Sequence, residues 1–311
     1  MTDAPLPVPF GWFQVGFPSD VSPGDLMALQ YFGRHLVLWR DEHGYAHLND
    51  AHCPHLGAHI GFGGSVAGDS VACPFHGWRF GADGSNTHIP YSGRTNRSCN
   101  LRPYPVIERN GLLMAWFHPD GVDPMWEIPD VPEFADRDTY TEPVQRDFHV
   151  SAPWQEMAEN GADSAHFGFV HGQEHVPEID SFETDGAHYR MESTQRWPTA
   201  NGVVDGHVTA ESWGPGFSIV RMVGIIDTVS LGCNTPVTDS SSHLRMNFAT
   251  RRSDDEAMTR LVTDTFVDLL AEQIGEDANV WEHKAYVERP ALADTDGPIM
   301  QFRAWASQFY A

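Results

Sequence analysis

HCPHLGAHIGFGGSVAGDSVACPFHGW, residues 52–78, carries two Cys/His pairs on two glycine-flanked loops: Cys53 with His55, and Cys73 with His76. Seventeen residues lie between His55 and Cys73. Two thiolates and two imidazoles suit either a tetrahedral zinc or a [2Fe-2S] cluster with two Cys on one iron and two His on the other. The spacing separates them. A structural zinc usually takes one pair as C-x2–4-C, whereas each pair here is mixed. Two facing loops then bring both Cys to one iron and both His to the other. Gly57, Gly61, Gly63, Gly64 and Gly77 leave room for close backbone approach, and Pro54 and Pro74 stiffen the loops.

The pattern C-x-H-x17-C-x2-H resembles the motif of the Rieske iron-sulfur family, with Cys53, His55, Cys73 and His76 at the ligand positions. Cys99 and Cys233 stand outside the motif, far apart in sequence. They read as small buried hydrophobes.

A chain of 311 residues with 41% hydrophobic and 12% aromatic content holds one large domain or two ordinary ones. Its N-terminus, MTDAPLPVPFGW, has no basic region before an apolar run, and no stretch approaches eighteen apolar residues. A soluble cytoplasmic protein is expected. The formal charge of −24 repels nucleic-acid phosphates and anionic lipid, so neither a nucleic acid nor a membrane is expected as partner. A basic electron-transfer partner is not repelled.

Residues 10–50 alternate short apolar runs with turn signals, and Leu112–Phe117 reads as a closing strand after the N-G turn at Asn110 and Gly111. These are the marks of a small all-β unit. HPDGVDPMWEIPDVPEF, ending at Phe134, reads as an extended connector following the surface. Residues 153–166 read as one helix begun by Pro153. Strand-like segments return between Phe182 and Phe248, among them Val223–Ile226, with a mostly polar loop at 231–243. A helix capped near Ser253, Asp254 and Asp255 carries Met258, Leu261, Val262, Phe266, Leu269, Leu270 and Ile274 on one long apolar face. Gly275 is expected to interrupt it before a further turn through Trp281. The aromatic tail RAWASQFY, residues 303–310, is expected to dock on the body. No P-loop, nucleophile elbow or dinucleotide fingerprint is present, so NAD(P)H would have to be oxidised by another protein.

NGADSAHFGFVHG contains Asn160, Asp163, His166 and His171. On a helix Asp163 and His166 share a face, and a break at Gly168 would return His171 to the same point. Two imidazoles and one carboxylate leave three cis positions open on a six-coordinate Fe(II), which suits O2 beside an organic substrate. By spacing alone Asp163 is the near carboxylate.

The resemblance to Rieske non-haem oxygenases implies another arrangement. It gives His166 and His171 to iron, makes Asp163 a bridge and takes the third ligand from a later helix. Asp277 in EDANVWEHK matches best, with Glu276 and Asp268 as weaker candidates. Apart from the resemblance, Asn160 is a candidate to orient a ligand or a ligand water. The resemblance also implies an α+β architecture: an all-β Rieske [2Fe-2S] domain over residues 1–125, then a catalytic domain over 126–311. That second domain would have a central antiparallel sheet flanked by helices, the helix-grip or START-like form. It implies a homotrimer as well, in which Asp163 joins His76 or His55 of one subunit to His166 of the next. Electrons would come from a flavin or ferredoxin reductase.

More narrowly, FHPDGVDPMWEIPDVPEF, VWEHKAY, ERPALADTDGPI and RAWASQFY resemble the branch holding 3-ketosteroid 9α-hydroxylase oxygenases and animal sterol 7-desaturases. A large apolar substrate of steroid type is implied, with hydroxylation or desaturation as the outcome. Phe217, Val220, Met222, Ile225, Met246, Phe248 and Phe266 are candidate pocket residues, though each also suits a core. An aromatic acid, the alternative substrate for ring hydroxylation or demethylation, would call for a paired arginine from Arg221, Arg245 or Arg251. A non-enzyme alternative is a Rieske electron carrier with an accessory domain. Metal analysis separates the two: about three Fe and two acid-labile sulfides per chain are expected of the oxygenase, and only two Fe of a carrier.

Overall fold

The structure is a computed structural model that describes residues 6–174, 176–199, 202–224 and 227–311. Ile225 and Ile226 lie outside the described residues. The chain divides into two compact units, one of residues 12–124 and one of residues 125–311 joined by the N-terminal residues up to Gly11.

The first unit is built from short antiparallel strands. β1 (Gly11–Gly16), β2 (Leu26–Tyr31), β3 (Arg34–Arg40) and β4 (Ala46–Asp50) precede the ligand loops. β5 (Ser65–Ala67), β6 (Ser70–Ala72), β7 (Arg79–Gly81) and β8 (Asn86–His88) lie between and after them. β9 (Pro103–Tyr104), β10 (Val106–Arg109) and β11 (Leu112–Phe117) close the unit. They form three sheets, in the orders β1-β11-β10, β2-β3-β4-β9 and β5-β6-β7-β8. Asn110 and Gly111 have φ of 56° and 77°, the paired left-handed conformation of a tight hairpin turn, which is why N-G ends β10. Val37, Trp39, Ile60, Val71 and Phe80 pack around Cys53 and Cys73 in one core.

The second unit carries a seven-stranded sheet. In chain order its elements are β12 (Val144–Val150), α1 (Trp154–Glu159), α2 (His166–Phe169) and β13 (Glu178–Asp185). β14 (His188–Thr199), β15 (Gly202–Trp213), β16 (Ser218–Val223), β17 (Thr228–Pro236) and β18 (Ser242–Thr250) follow. α3 (Glu256–Trp281) and α4 (Ile299–Ala306) complete it. The order β12-β18-β17-β16-β15-β14-β13 puts two strands that are consecutive in the chain on opposite edges. At about 4.8 Å per strand spacing the connection between them must cross roughly 29 Å of sheet.

Antiparallel register places Arg146, Met246, Gly232, Ser218, Ser212 and Tyr189 in one row on one face. All the larger helices meet that face. Phe148 and Leu244 share a cluster with Ile274 and Ala278 of α3. Asn234 reaches Met157 of α1, and Tyr189 meets Phe302 and Trp305 of α4. The aromatic tail is docked: Phe302, Trp305 and Phe309 are buried, and Phe10 N–H donates to Phe309 O at 2.8 Å.

Six local expectations are corrected. The single helix over 153–166 is instead α1, a 3-10 turn at Asn160–Ala162, an extended Asp163 (φ −99°, ψ 109°), and α2. Gly168 lies inside α2, and the left-handed residue past it is Gly172 (φ 62°). α3 runs unbroken through Gly275, where nothing lies within 4 Å of an added Cβ. Its Asp255 cap accepts from Ala257 and Met258 N–H. The buried stripe of α3 is Thr259, Thr263, Val267, Asp277 and Trp281, while Met258, Leu261 and Leu269 are exposed, so its inward face is narrower than the apolar spacing suggests. Residues 231–236 are strand, because Leu231 and Cys233 alternate into the core; only the next few residues turn. The connector is not wholly superficial either, since Ile128, Val131 and Phe134 are buried.

Gly64 sets a strict limit on the sheet that joins the two Cys/His loops. A Cβ there would lie 2.3 Å from Ile60 O and 2.8 Å from Ala72 O, both backbone atoms that cannot yield alone. Gly64→Ala is expected to cost more than about 2 kcal/mol, read as a lower urea midpoint by tryptophan fluorescence.

Candidate metal centres

The two ligand loops of the first unit are built alike. Cys53 N–H donates to Ala58 O at 2.8 Å and Gly57 N–H to Cys53 O at 2.8 Å. Twenty residues on, Cys73 N–H donates to Trp78 O at 2.8 Å and Gly77 N–H to Cys73 O at 3.0 Å. Each loop closes on a left-handed glycine, Gly57 (φ 77°) and Gly77 (φ 69°), a conformation that costs a residue with a Cβ free energy. Repeated geometry presents repeated ligands.

Cys53 and Cys73 are buried, and the His55 and His76 rings lie further out with centroids 4.8 Å apart. His55 stacks on Trp78 at 4.4 Å, and Trp78 Nε1–H donates to Tyr91 Oη at 2.7 Å. Burial pushes the Cys53 thiol up to about 11; the His55 backbone N–H opposes this and the adjoining Cys73 thiol adds to it. A thiol this dry takes the thiolate form only beside a cationic centre. His76 Nδ1 is buried without a hydrogen-bond partner, an orphaned donor atom that a metal would satisfy. The four side chains therefore fit a cluster with its cysteine end inside and its histidine end at the surface.

In the second unit the segment crossing the sheet carries the other candidates. α1 is pinned at four side chains. Trp154 Nε1–H donates to Pro215 O (2.6 Å), and Gln155 Oε1 accepts from Tyr310 Oη (3.0 Å). Glu156 pairs with Lys284 (2.6 Å), and Glu159 takes both forks of Arg303 (2.6 and 2.8 Å). Lys284 lies in VWEHKAY, and Arg303 and Tyr310 in RAWASQFY, two of the stretches that carried the narrower resemblance. Their physical task is to hold α1.

Held this way, the segment brings His166 and His171 to Asp277 on the buried stripe of α3, with one ligand atom of each within 4.8 Å of the others. Both imidazole Nε2 atoms face Asp277 Oδ1, His171 at 3.3 Å and His166 at 3.8 Å. The three side chains are nearly dry, at 9%, 2% and 9% exposure for His166, His171 and Asp277. Burial lowers His166 below the usual imidazole value against the pull of Asp277, and raises Asp277 against His166, His171 and Asn160. Two imidazoles and a carboxylate at one point are the donor set of a 2-His-1-carboxylate Fe(II) centre.

The remaining candidates take supporting places. Asn160 Nδ2–H donates to Asp277 Oδ2 at 3.1 Å and lies 3.3 Å from His166 Nε2. Asp163 Oδ1 accepts from Ala165 N–H (2.9 Å) and His166 N–H (3.3 Å), capping α2 rather than joining the donor cluster. Asp268 pairs with Arg146 at 2.5 Å, away from the centre. Glu276 has a place that its weak standing as a ligand concealed: its Oε2 is 2.8 Å from His171 Nδ1. Accepting that ring proton leaves the Nε2 lone pair turned to Asp277. The signal was adjacency, since neighbouring helical positions point about 100° apart and serve different atoms of one site.

Of the pocket candidates, Val220, Met222 and Met246 are half-buried on the helix side of the sheet, Phe266 is half-buried on α3, and Phe217 and Phe248 are core. Arg221 and Arg245 project from the other face. Arg221 holds Glu133 and Glu211, Arg245 holds Asp147, and Arg251 holds Asp227.

Residues 11–105 match the Rieske [2Fe-2S] domain, and residues 115–310 match the 3-ketosteroid 9alpha-hydroxylase C-terminal domain. The oxygenase component of a 3-ketosteroid-9-alpha-monooxygenase from Rhodococcus rhodochrous is 31% identical over 96% of this chain and 83% of its own. A cholesterol 7-desaturase from Ciona intestinalis is 30% identical over 99% of this chain and 70% of its own. Among solved structures, dicamba monooxygenase bound to dicamba shares the fold, with a TM-score of 0.76 over 96% of both chains at 21% identity.

Glu276→Gln is expected to weaken Fe(II) retention by about 10- to 100-fold, the usual effect of losing the partner of a ligating imidazole. Chelator competition at fixed cluster content measures it.

Proposed function

The chain belongs to the Rieske oxygenase family with a 3-ketosteroid 9α-hydroxylase C-terminal domain, and from that membership we propose a terminal oxygenase that hydroxylates or desaturates a large apolar substrate of steroid class. The observation that carries the reading is the convergence of His166, His171 and Asp277 in a chain that also bears the paired Cys/His loops. In this reading Cys53, Cys73, His55 and His76 hold the cluster, and His166, His171 and Asp277 hold Fe(II). When bound, the two centres supply one-electron transfer and open coordination positions for O2 and its reduction.

The protein's own part is to orient those ligands and keep them dry. Asn160 restrains Asp277 Oδ2, leaving Oδ1 toward both imidazoles. Glu276 sets the tautomer of His171, and the depressed His166 keeps its lone pair at neutral pH. Substrate lies in this reading against the helix side of the sheet, where Val220, Met222 and Met246 offer apolar surface. Arg221, Arg245 and Arg251 are each committed to a carboxylate, which favours a neutral alicyclic over an aromatic acid.

A separate flavin or ferredoxin reductase supplies electrons, as the relative's description as an oxygenase component suggests. The enzyme is placed in the cytoplasm with that donor; among the described residues no helix is long and apolar enough to cross a membrane. Leu56, Phe75 and Tyr91, exposed on or near the cluster loops, support docking of a neighbour there, and the assembly proposed is a homotrimer. Asp163, one turn from His166, is the bridge in that assembly.

With reductase, NAD(P)H and O2, the iron-replete protein is expected to convert 3-ketosteroids or sterols; conversion of aromatic acids alone overturns the substrate class. Asp163→Asn keeps an acceptor for the α2 cap, so it is expected to retain both metals and lose coupled turnover. Wild-type transfer from cluster to iron in that variant removes the bridge.

A further inference from the structure

A second group of imidazoles converges on the first unit, outside the four cluster residues. His35, His52 and His59 each bring one ligand atom within 4.8 Å of the other two. Their rings meet edge to face, with centroids 5.0 Å apart for His52 and His59, 5.3 Å for His35 and His52, and 5.6 Å for His35 and His59.

The backbone fixes this meeting. His52 and His59 face each other in an antiparallel bridge, and Ala51 N–H donates to His35 O at 2.9 Å. Ile60 N–H donates to Ala51 O at 2.8 Å, tying the third segment to the first two. A Cβ on Gly61 would lie 2.8 Å from Ala28 Cβ and 3.0 Å from His59 Cε1, so glycine there keeps the His59 ring in place. His52 Nδ1–H donates to Gly57 O at 3.1 Å, leaving the Nε2 lone pair as its free donor atom. His59 Nδ1 accepts from Gly61 N–H at 3.1 Å. His35 and His52 are exposed and His59 half-buried, so an ion reaches the group directly from solvent.

We propose that His35, His52 and His59 form a binding site for a divalent late first-row transition ion of the Zn2+ and Cu2+ class. Three imidazoles with solvent in the fourth position suit such ions, whereas Mg2+ and Ca2+ require oxygen ligands. Binding at His59 gives up the Gly61 hydrogen bond, because the ion takes the lone pair or moves the ring proton to Nδ1. None of the three residues belongs to either iron centre, so the site adds to the redox machinery.

The test uses tag-free, full-length protein already loaded with its iron, so that neither iron centre is open to the added metal. Calorimetric titration with Zn2+ is expected to show one ion per chain beyond the iron complement. His35→Gln and His59→Gln should each weaken it by at least about 10- to 100-fold, the loss typical of removing even an outer partner. Iron and acid-labile sulfide contents of each variant confirm that the fold and cluster survive. Cu2+ is expected to show nitrogen hyperfine structure by electron paramagnetic resonance, reduced in His35→Gln. The proposal is overturned if the iron-replete protein takes up no further zinc, or if both variants bind zinc as the wild type does.

Discussion

The two-pronged ion pair between Glu159 and Arg303 governs where the chemistry of the second unit stands. Both side chains are about nine-tenths buried, and Glu159 is the main reason the guanidinium is held above its ordinary value. Removing one partner of such a pair leaves a desolvated charge, at a typical cost of about 3–5 kcal/mol. The pair fixes the last turn of α1, and Asn160 is the next residue. From there the chain makes its 3-10 turn, extends at Asp163 and enters α2 at His166. A shift of α1 would move every donor atom that follows it.

Topology explains why so much is spent on holding one short helix. The strands before and after the crossing lie on opposite edges of a seven-stranded sheet, so the segment between them has no sheet of its own to pair with. Six residues of helix are too few to be stable alone. The C-terminal elements supply the missing constraint through Lys284, Arg303 and Tyr310. Burial follows from the same arrangement, and burial is what keeps His166 and Asp277 biased toward their neutral forms. A cation placed among these donors reverses the bias on Asp277, whose carboxylate it favours, and reinforces that on His166, whose lone pair it takes.

The cluster loops reach a similar end by a local route. Each is closed by one left-handed glycine and the same two backbone hydrogen bonds, so ligand geometry is set within about six residues on each side. The sheet then needs only to bring two such loops together. Gly64 lets them approach, because its missing Cβ is the space between Ile60 O and Ala72 O.

That difference in range accounts for what was legible. Cys53, His55, Cys73 and His76 could be read from spacing because each pair lies within one loop. The N-G turn and β11 were likewise local and were found where expected. Asp163 misled on spacing, since the helix that would have aligned it with His166 ends before it, and its carboxylate caps α2 instead. The apolar spacing of α3 misled too: it marks one stripe, while the residues buried along that length are Thr259, Thr263 and Val267.

The sequence by itself determined which donor types each candidate centre draws on, and the change from a strand-rich first stretch to one that mixes strands and helices, because residue type and short spacing encode both. Which carboxylate joins the two histidines was decided only in three dimensions. Asp277 lies 117 positions from Asn160, and no local pattern separates it from Glu276 or Asp268. The phase of α3 over the sheet turned Asp277 inward, Glu276 to His171 and Asp268 to Arg146, because a rigid helix allots each face to a different neighbour.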